Sequence, residues 1–396
     1  MESRDTTGPQ QESPSRTASR KRVIVGGAIA LGLAAGVFWI AGPARQLGQW
    51  APYAGRAPTF TGKSDQLKQT VIVPTLDSPC PPGKNVIWCS SFQLAWNELR
   101  DNVIHAPLQV IGAEEIAARL NAAKQSSSDL DPKSFYIAGG WTKDGIVDKI
   151  KKDMAARFPS HPLPDFNGLQ GGILAYSYLT ANVPFKYPFE QVEKGFAFTD
   201  SQGGKTQVDG FGLSESHQNG SRKIRQQVEI LYSAFQDRGF EVRECAIDLC
   251  KYSRPYQVVV AMVEPKGSLA QTLEYVRART DRPGEAGRIY ARGEFRSADI
   301  LEVPEMVWRI DHRFSELIGK VLVNVKMSIT EAMQTIEFRL GRAGAKVESE
   351  ARLPATTAAP MHFVFDRPFL VYMQKRGAEQ SFFVMWVDNA ELLVRR

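Results

Sequence analysis

Four cysteines and five histidines are the side chains of this 396-residue chain whose spacing could most readily do chemistry. Cys80 with Cys89 and Cys245 with Cys250 form two sequence-local couples. Neighbouring thiols in an oxidising compartment close into disulfides, so two short-loop bridges are one reading. A zinc site is a second, although neither couple has the Cys-x-x-Cys spacing of a knuckle and no histidine lies beside either. Four plain thiols are the third. His105, His161, His217, His312 and His362 are scattered singly. The chain has no Gly-x-Ser-x-Gly elbow and no His-Glu-x-x-His, and Gly204-Lys205-Thr206 lacks the earlier glycine of a phosphate loop. No catalytic residue, metal site or cofactor is expected, and the chain does not read as an enzyme.

Composition points to a globular protein, with 43% hydrophobic and 23% charged residues. The formal charge of +6 is spread along the chain. No dense basic face with interleaved aromatics stands out, so nucleic acid is not an expected partner. Residues 23–42 are uncharged and long enough to cross a bilayer as a helix. Arg16, Arg20, Lys21 and Arg22 crowd the N-terminal flank, against Arg45 and Arg56 on the other. That bias places the N-terminus in the cytoplasm and the rest outside. The alternative is a cleaved signal and a secreted protein, for which residues 42–44 offer small side chains but the apolar run is long.

Residues 1–22 are polar before that run and read as a disordered cytoplasmic tail. Residues 43–84 carry repeated prolines and read as a spacer. The folded domain is expected over residues 85–396. A strand at residues 85–88 should run into a helix capped by Ser90, with Phe92, Ala95, Trp96 and Leu99 as its apolar stripe. Residues 113–124 and 144–158 read as amphipathic helices, the second stopped by Pro159. Strand-like runs follow at 173–180, 196–200, 205–211, 223–232, 257–263, 288–296 and 363–373. Helices followed by strands make an α+β fold.

The block at residues 362–373 (HFVFDRPFLVYM), a polar turn at 374–380 and the apolar run 381–387 form a predicted hairpin. Here the chain resembles the serpin family, whose C-terminal signature sets an aromatic residue before Asp-Arg-Pro-Phe-Leu: Phe363, Asp366, Arg367, Pro368 and Phe369. Other family-like segments precede it in order. Residues 85–99 resemble the opening strand and helix, 173–189 the central-sheet strand ending in a Pro-Phe pair, and 195–211 the exposed hairpin. Residues 257–275 resemble a buried strand, turn and short helix, and 303–318 a strand with Pro followed by a helix. Ser177 stands where the family has Asn and Phe185 where it has Trp, which bears on how the central sheet opens. The resemblance implies helices around a large central mixed sheet with additional sheets, preceded here by a transmembrane helix.

It also implies an activity. A target serine or cysteine protease attacks an exposed loop, which then enters the central sheet as a new strand and carries the enzyme with it. The candidate loop is 344–361, with a hinge at Gly344, Ala345, Val347, Ser349 and Ala351. Ala345, Val347, Ser349 and Ala351 are compact and form one face of an inserted strand; Lys346, Glu348 and Glu350 form the other. Counting from the two ends places the cleaved bond after Thr357 or after Ala358, ahead of Ala359. Either choice puts a small residue before the bond and suits an elastase-type pocket. The two glutamates resemble substitutions in non-inhibitory relatives, so a scaffold that traps nothing is the alternative. The partner is a protease, and the chain is expected as a monomer.

Overall fold

The computed structural model describes residues 57–166, 168–169, 171–182, 185–213, 222–235, 242–281, 289–290, 293–342 and 360–396. The central sheet runs in the order β1 (Phe60–Lys63), β16 (Met306–Arg313), β18 (Met327–Leu340), β5 (Ile173–Asn182) and β4 (Phe135–Trp141), with β17 (Val321–Leu322) also on β18. A second sheet runs β13 (Ile289–Tyr290), β10 (Glu229–Phe235), β11 (Val242–Asp248), β12 (Tyr256–Met262) and β20 (Phe369–Lys375). It continues through β21 (Ser381–Val387), β3 (Asn85–Cys89) and β2 (Thr70–Ile72), with β14 (Gly293–Glu294) also on β10. A third sheet has the order β19 (His362–Val364), β15 (Ile300–Pro304), β9 (Gly210–Leu213) and β6 (Glu190–Gln191). The hairpin of β7 (Phe196–Thr199) and β8 (Lys205–Val208) stands apart.

Side-chain alternation sorts these sheets into layers. One face of the central sheet (Ala175, Leu179, Ala332, Ile336, Phe338) and one face of the second sheet (Ile87, Val260, Phe383, Met385) meet in the main core. Helix α1 (Ser90–Glu98) lies in that layer. Its Phe92 ring packs 4.0 Å from Phe314, and Trp96 Nε1 donates to Asn121 Oδ1 on α2 (Glu114–Ala122). The outer face of the central sheet is covered by α3 (Ile146–Arg157), which turns Ile150 and Met154 onto Tyr176 and Tyr178. The outer face of the second sheet is covered by α5 (Leu269–Asp281). The mixed, multi-sheet α+β architecture is therefore as expected, and so are the opening strand and helix, the 257–275 unit and the C-terminal hairpin.

Other expectations are corrected. Ser90 is the first helical residue and not the cap; Cys89 holds the cap position with no side-chain bond. Residues 223–232 split into a short helix, α4 (Arg222–Gln227), and β10. Buried Arg225 explains this: its guanidinium donates to the carbonyls of Arg296 and Asp299, so a tertiary contact holds a turn made of good helix formers. No helix follows Pro304. Residues 306–313 form a strand because they pair along β18, from Met306↔Leu340 to Arg313↔Met333. Among the described residues of the run at 288–296 are the short strands β13 and β14, both on β10.

Within the expected spacer at 43–84, the described residues 57–84 contribute to the fold. β1 covers part of the exposed edge of β16, and β2 pairs with β3. Ser64 Oγ lies 2.7 Å from His312 Nδ1. The Glu391 carboxylate accepts bonds from Lys68 N, Gln69 N and Thr70 Oγ1 at 2.7–2.9 Å, tying this segment to the C-terminus. The tail 1–22 and the apolar run 23–42 lie outside the described residues. Among the described residues no helix is long and apolar enough to cross a membrane.

Burial against Phe314 lowers His312 from its ordinary 6.5 to about 4. Between those values the unfolded chain binds the proton and the folded chain does not, so stability should fall as pH drops from 6.5 toward 4. The full contribution is roughly 3 kcal/mol. Urea unfolding at neutral and mildly acidic pH should show this loss, and His312→Gln should flatten it; an equal slope in the variant would contradict the assignment.

Candidate functional site

β5 and β18 lie side by side in parallel, from Glu331↔Leu174 to Arg339↔Asn182. Parallel bonds are slanted and slightly weaker per residue than antiparallel ones. Gln334 is opposite Ser177 in this register, and α1 passes beneath them. Gln334 Nε2 donates to Ser91 Oγ at 2.9 Å and to the Cys89 carbonyl at 3.2 Å, while Ser91 Oγ donates to Ser177 Oγ at 3.3 Å. All four residues are buried. Ser177 thus joins the bonding across the seam through Ser91. Among the described residues Gln334 Oε1 is buried with no hydrogen-bond partner, so this buried polar plug of Gln334, Ser91 and Ser177 is incompletely satisfied.

The outer side of the seam is closed by charge. Glu337 of β18 lies 2.7 Å from His161 Nδ1, just beyond α3, and 3.5 Å from Arg309 of β16. Arg309 also meets Asp311, which accepts a bond from Thr335 Oγ1. Opening the seam therefore separates α3 from β18 as well as β5 from β18.

Leu340 ends β18, and two residues later the Arg342 carbonyl accepts a bond from Phe189 N at 3.0 Å. Phe185 is buried edge-on against Phe189, with centroids 4.8 Å apart, so two aromatic rings fill this corner. The chain is described again at Pro360. Met361 N donates to Asp299 Oδ1 at 3.0 Å, and its carbonyl accepts from Ile300 N at 2.9 Å. Asp299 is fully buried and paired with Arg296 at 2.8 Å. Asp299, Arg296 and Arg225 escaped the sequence reading: an Arg three residues before an Asp carries no signal until the fold buries the pair. Gly344, Ala345, Val347, Ser349, Ala351, Thr357, Ala358 and Ala359 lie outside the described residues.

The C-terminal signature is a structural junction. Phe363 is buried on β19, ring to ring with Phe295 at 5.7 Å, and Phe369 begins β20. Between them the Asp366 carbonyl accepts from Thr199 N, and Arg367 Nη2 donates to the Val242 carbonyl. Pro368 leads into β20, so this short run joins the third sheet, the hairpin and the second sheet.

No family model matches the chain, and no curated protein matches it in sequence. Among solved structures it is similar to Serpin48 of the insect Tenebrio molitor, at 12% identity and TM-score 0.46 over 77% of this chain and 92% of that one. It is similar to thyroxine-binding globulin in complex with thyroxine, at 11% identity and TM-score 0.48 over 77% and 93%. Mouse protein-Z dependent protease inhibitor gives 12% identity and TM-score 0.47 over 77% and 91%.

The disulfide expectation is corrected: all four cysteines are separate thiols. Cys89 faces the main core and Cys80 packs on the opposite face of the second sheet. Cys245 pairs with Met262, while Cys250 Sγ accepts from Val258 N. Those partners are four residues apart on β12, about 13 Å of strand, and bridged cysteines need Cα atoms within about 7 Å. Burial pushes the Cys80 thiol up to about 11 and Cys89 and Cys245 up to about 12. Thiol titration without reductant should find all four groups in denaturant, with only Cys80 reacting, slowly, in the native protein. Recovery of two or none would restore a bridge. Gln334→Ala should lower the unfolding free energy measured in urea by roughly 1–3 kcal/mol through loss of its bonds to Ser91 and Cys89; an unchanged free energy would show that the seam does not depend on them.

Proposed function

We propose that this chain is a serpin-type trap for serine or cysteine proteases, held outside the cytoplasm by a membrane helix over residues 23–42. The observation that carries it is the continuity of β18 with the candidate loop, beside a parallel neighbour. A cut segment turning back from Leu340 would run antiparallel to both β18 and β5. One parallel ladder would be exchanged for two antiparallel ones. The far end would stay with the third sheet through Met361 and Phe363.

The chemistry belongs to the target. Its nucleophile attacks the carbonyl of Thr357 or Ala358, forming an acyl-enzyme and releasing the amine of the next residue. Insertion then moves the acylated enzyme before water completes the turnover. Ala345, Val347, Ser349 and Ala351 would face the core beneath the seam, beside Ser91, Ser177 and Gln334. The protein itself is not catalytic and needs no metal or cofactor in this scheme. A second reading, a non-inhibitory scaffold, is favoured by Glu348 and Glu350 in the hinge.

Incubation with a panel of elastase-like and other serine proteases, followed by denaturing electrophoresis, separates the two. A covalent band stable to boiling is expected from the trap and absent from the scaffold. Cleavage near Thr357 should also raise the melting temperature of the wild type markedly. Val347→Arg should abolish that rise, since a charge forced against the core costs roughly several kcal/mol. Glu348→Arg should leave most of it. Identical melting of cut and uncut wild type would mean that the loop does not insert.

A further inference from the structure

We infer that one end of the second sheet carries a binding site for a small organic acid, a carboxylate on a flat apolar body, held by Arg243 and Arg367 beside Trp386. The site is a cleft of about 330 Å³. Small-molecule pockets begin at about this size. The register of four neighbouring strands builds it. Cys245↔Met262 sets the start of β11 beside the end of β12, and Ala261↔Leu370 sets that end beside the start of β20. Phe369↔Val387 then brings in the end of β21. Arg243, Val263, Arg367 and Asp388, each close to one of these strand ends, therefore line a single cleft from four parts of the chain.

The buried and half-buried acids of the cleft already have partners. Ser201 Oγ donates to Asp388 Oδ1 at 2.6 Å, and Trp386 Nε1 donates to Oδ2 at 3.3 Å. The Tyr275 hydroxyl of α5 lies 3.0 and 3.1 Å from the two Glu244 oxygens, and Arg279 Nε lies 3.6 Å from one of them. Arg279 and Lys266 also sit 3.5 and 4.3 Å from the centre of the Tyr275 ring, so positive charge gathers near Glu244. Glu264 is exposed, where water and salt screen it. The arginines differ. Arg367 Nη2 donates to the Val242 carbonyl at 2.9 Å, which uses one of five guanidinium N–H groups. Among the described residues neither Arg367 nor Arg243 forms an ion pair. The donors left over are cationic, and a guanidinium fork matches a carboxylate with two parallel bonds.

The rest of the wall is apolar and stiff. Trp386 is 3% exposed and shares the cluster beneath α5 with Val263, while Met262 belongs to the main core. Pro265 and Pro368 complete the lining. Proline rings and a buried indole lose little freedom when a ligand covers them, so the wall is pre-organised. An inorganic anion would leave this surface wet, and an uncharged ring would leave the arginines unanswered. A single flat acid meets both demands.

The test is calorimetric titration of the full chain with three probes under identical conditions: 2-naphthoate, its neutral analogue 2-naphthylmethanol, and inorganic phosphate. 2-Naphthoate should saturate one site with a dissociation constant of about 1 mM or lower and raise the melting temperature. The alcohol and phosphate should each bind at least about tenfold more weakly. Arg243→Gln, at an exposed position, should weaken 2-naphthoate roughly tenfold while leaving the unliganded melting temperature unchanged. Arg367→Lys, which keeps a donor for the Val242 carbonyl but loses the fork, should do the same. No saturable binding of 2-naphthoate would overturn the site. Equal binding of the alcohol would overturn the anion, and equal binding of phosphate the apolar wall. Full affinity in both arginine variants, or in Arg243→Gln alone should Arg367→Lys fail to fold, would place the ligand elsewhere and overturn the assignment.

Discussion

The parallel ladder between Ile173–Asn182 and Met327–Leu340 is the contact on which the rest of the architecture turns. It joins two antiparallel pairs of the central sheet, β4 with β5 on one side and β16 with β18 on the other. Parallel strands are stable when both faces are covered. Here the main core and α1 cover one face, and α3 covers β5 on the other. Removal of either layer would leave the seam open to water.

The same seam is the least uniform part of the sheet. Its inner side carries Ser177, Gln334 and Ser91 in place of apolar packing, and its outer side carries Glu337, His161 and Arg309. Buried polar groups stabilise when fully paired and lose that advantage when an atom such as Gln334 Oε1 has no partner. A sheet divided along such a line has a place at which to part. The ends of the candidate loop differ from it: Met361 is held by a buried Asp299–Arg296 pair and by a backbone bond, and the signature residues lock the following turn among three sheets.

Local patterns carried much of this. The apolar run at 85–89, the stripe of α1, the helix stopped by Pro159 and the C-terminal hairpin were all legible, because period and punctuation are properties of neighbouring residues. So was the run around Asp366, which joins three sheets. The strand at 306–313 and the helix at 222–227 were not, because long-range partners decide between conformations that their sequences allow almost equally. Thr59–Ile72 misled in the same way: prolines on either side suggested a spacer, while an open sheet edge and Glu391, more than three hundred positions away, recruited the segment.

By itself the sequence determined the class of fold, the apolar N-terminal run, the lack of a catalytic motif and the small residues of the candidate loop, since each follows from side-chain type and local period. Tertiary structure alone decided which strands adjoin in parallel, that Ser91, Ser177 and Gln334 meet, that Asp299 holds Met361, and that Cys80 and Cys89 lie on opposite faces of one sheet. These are pairings between residues far apart in the chain or on opposite sides of a strand. Their energies exist only once a sheet has set register and direction, and no local pattern records either.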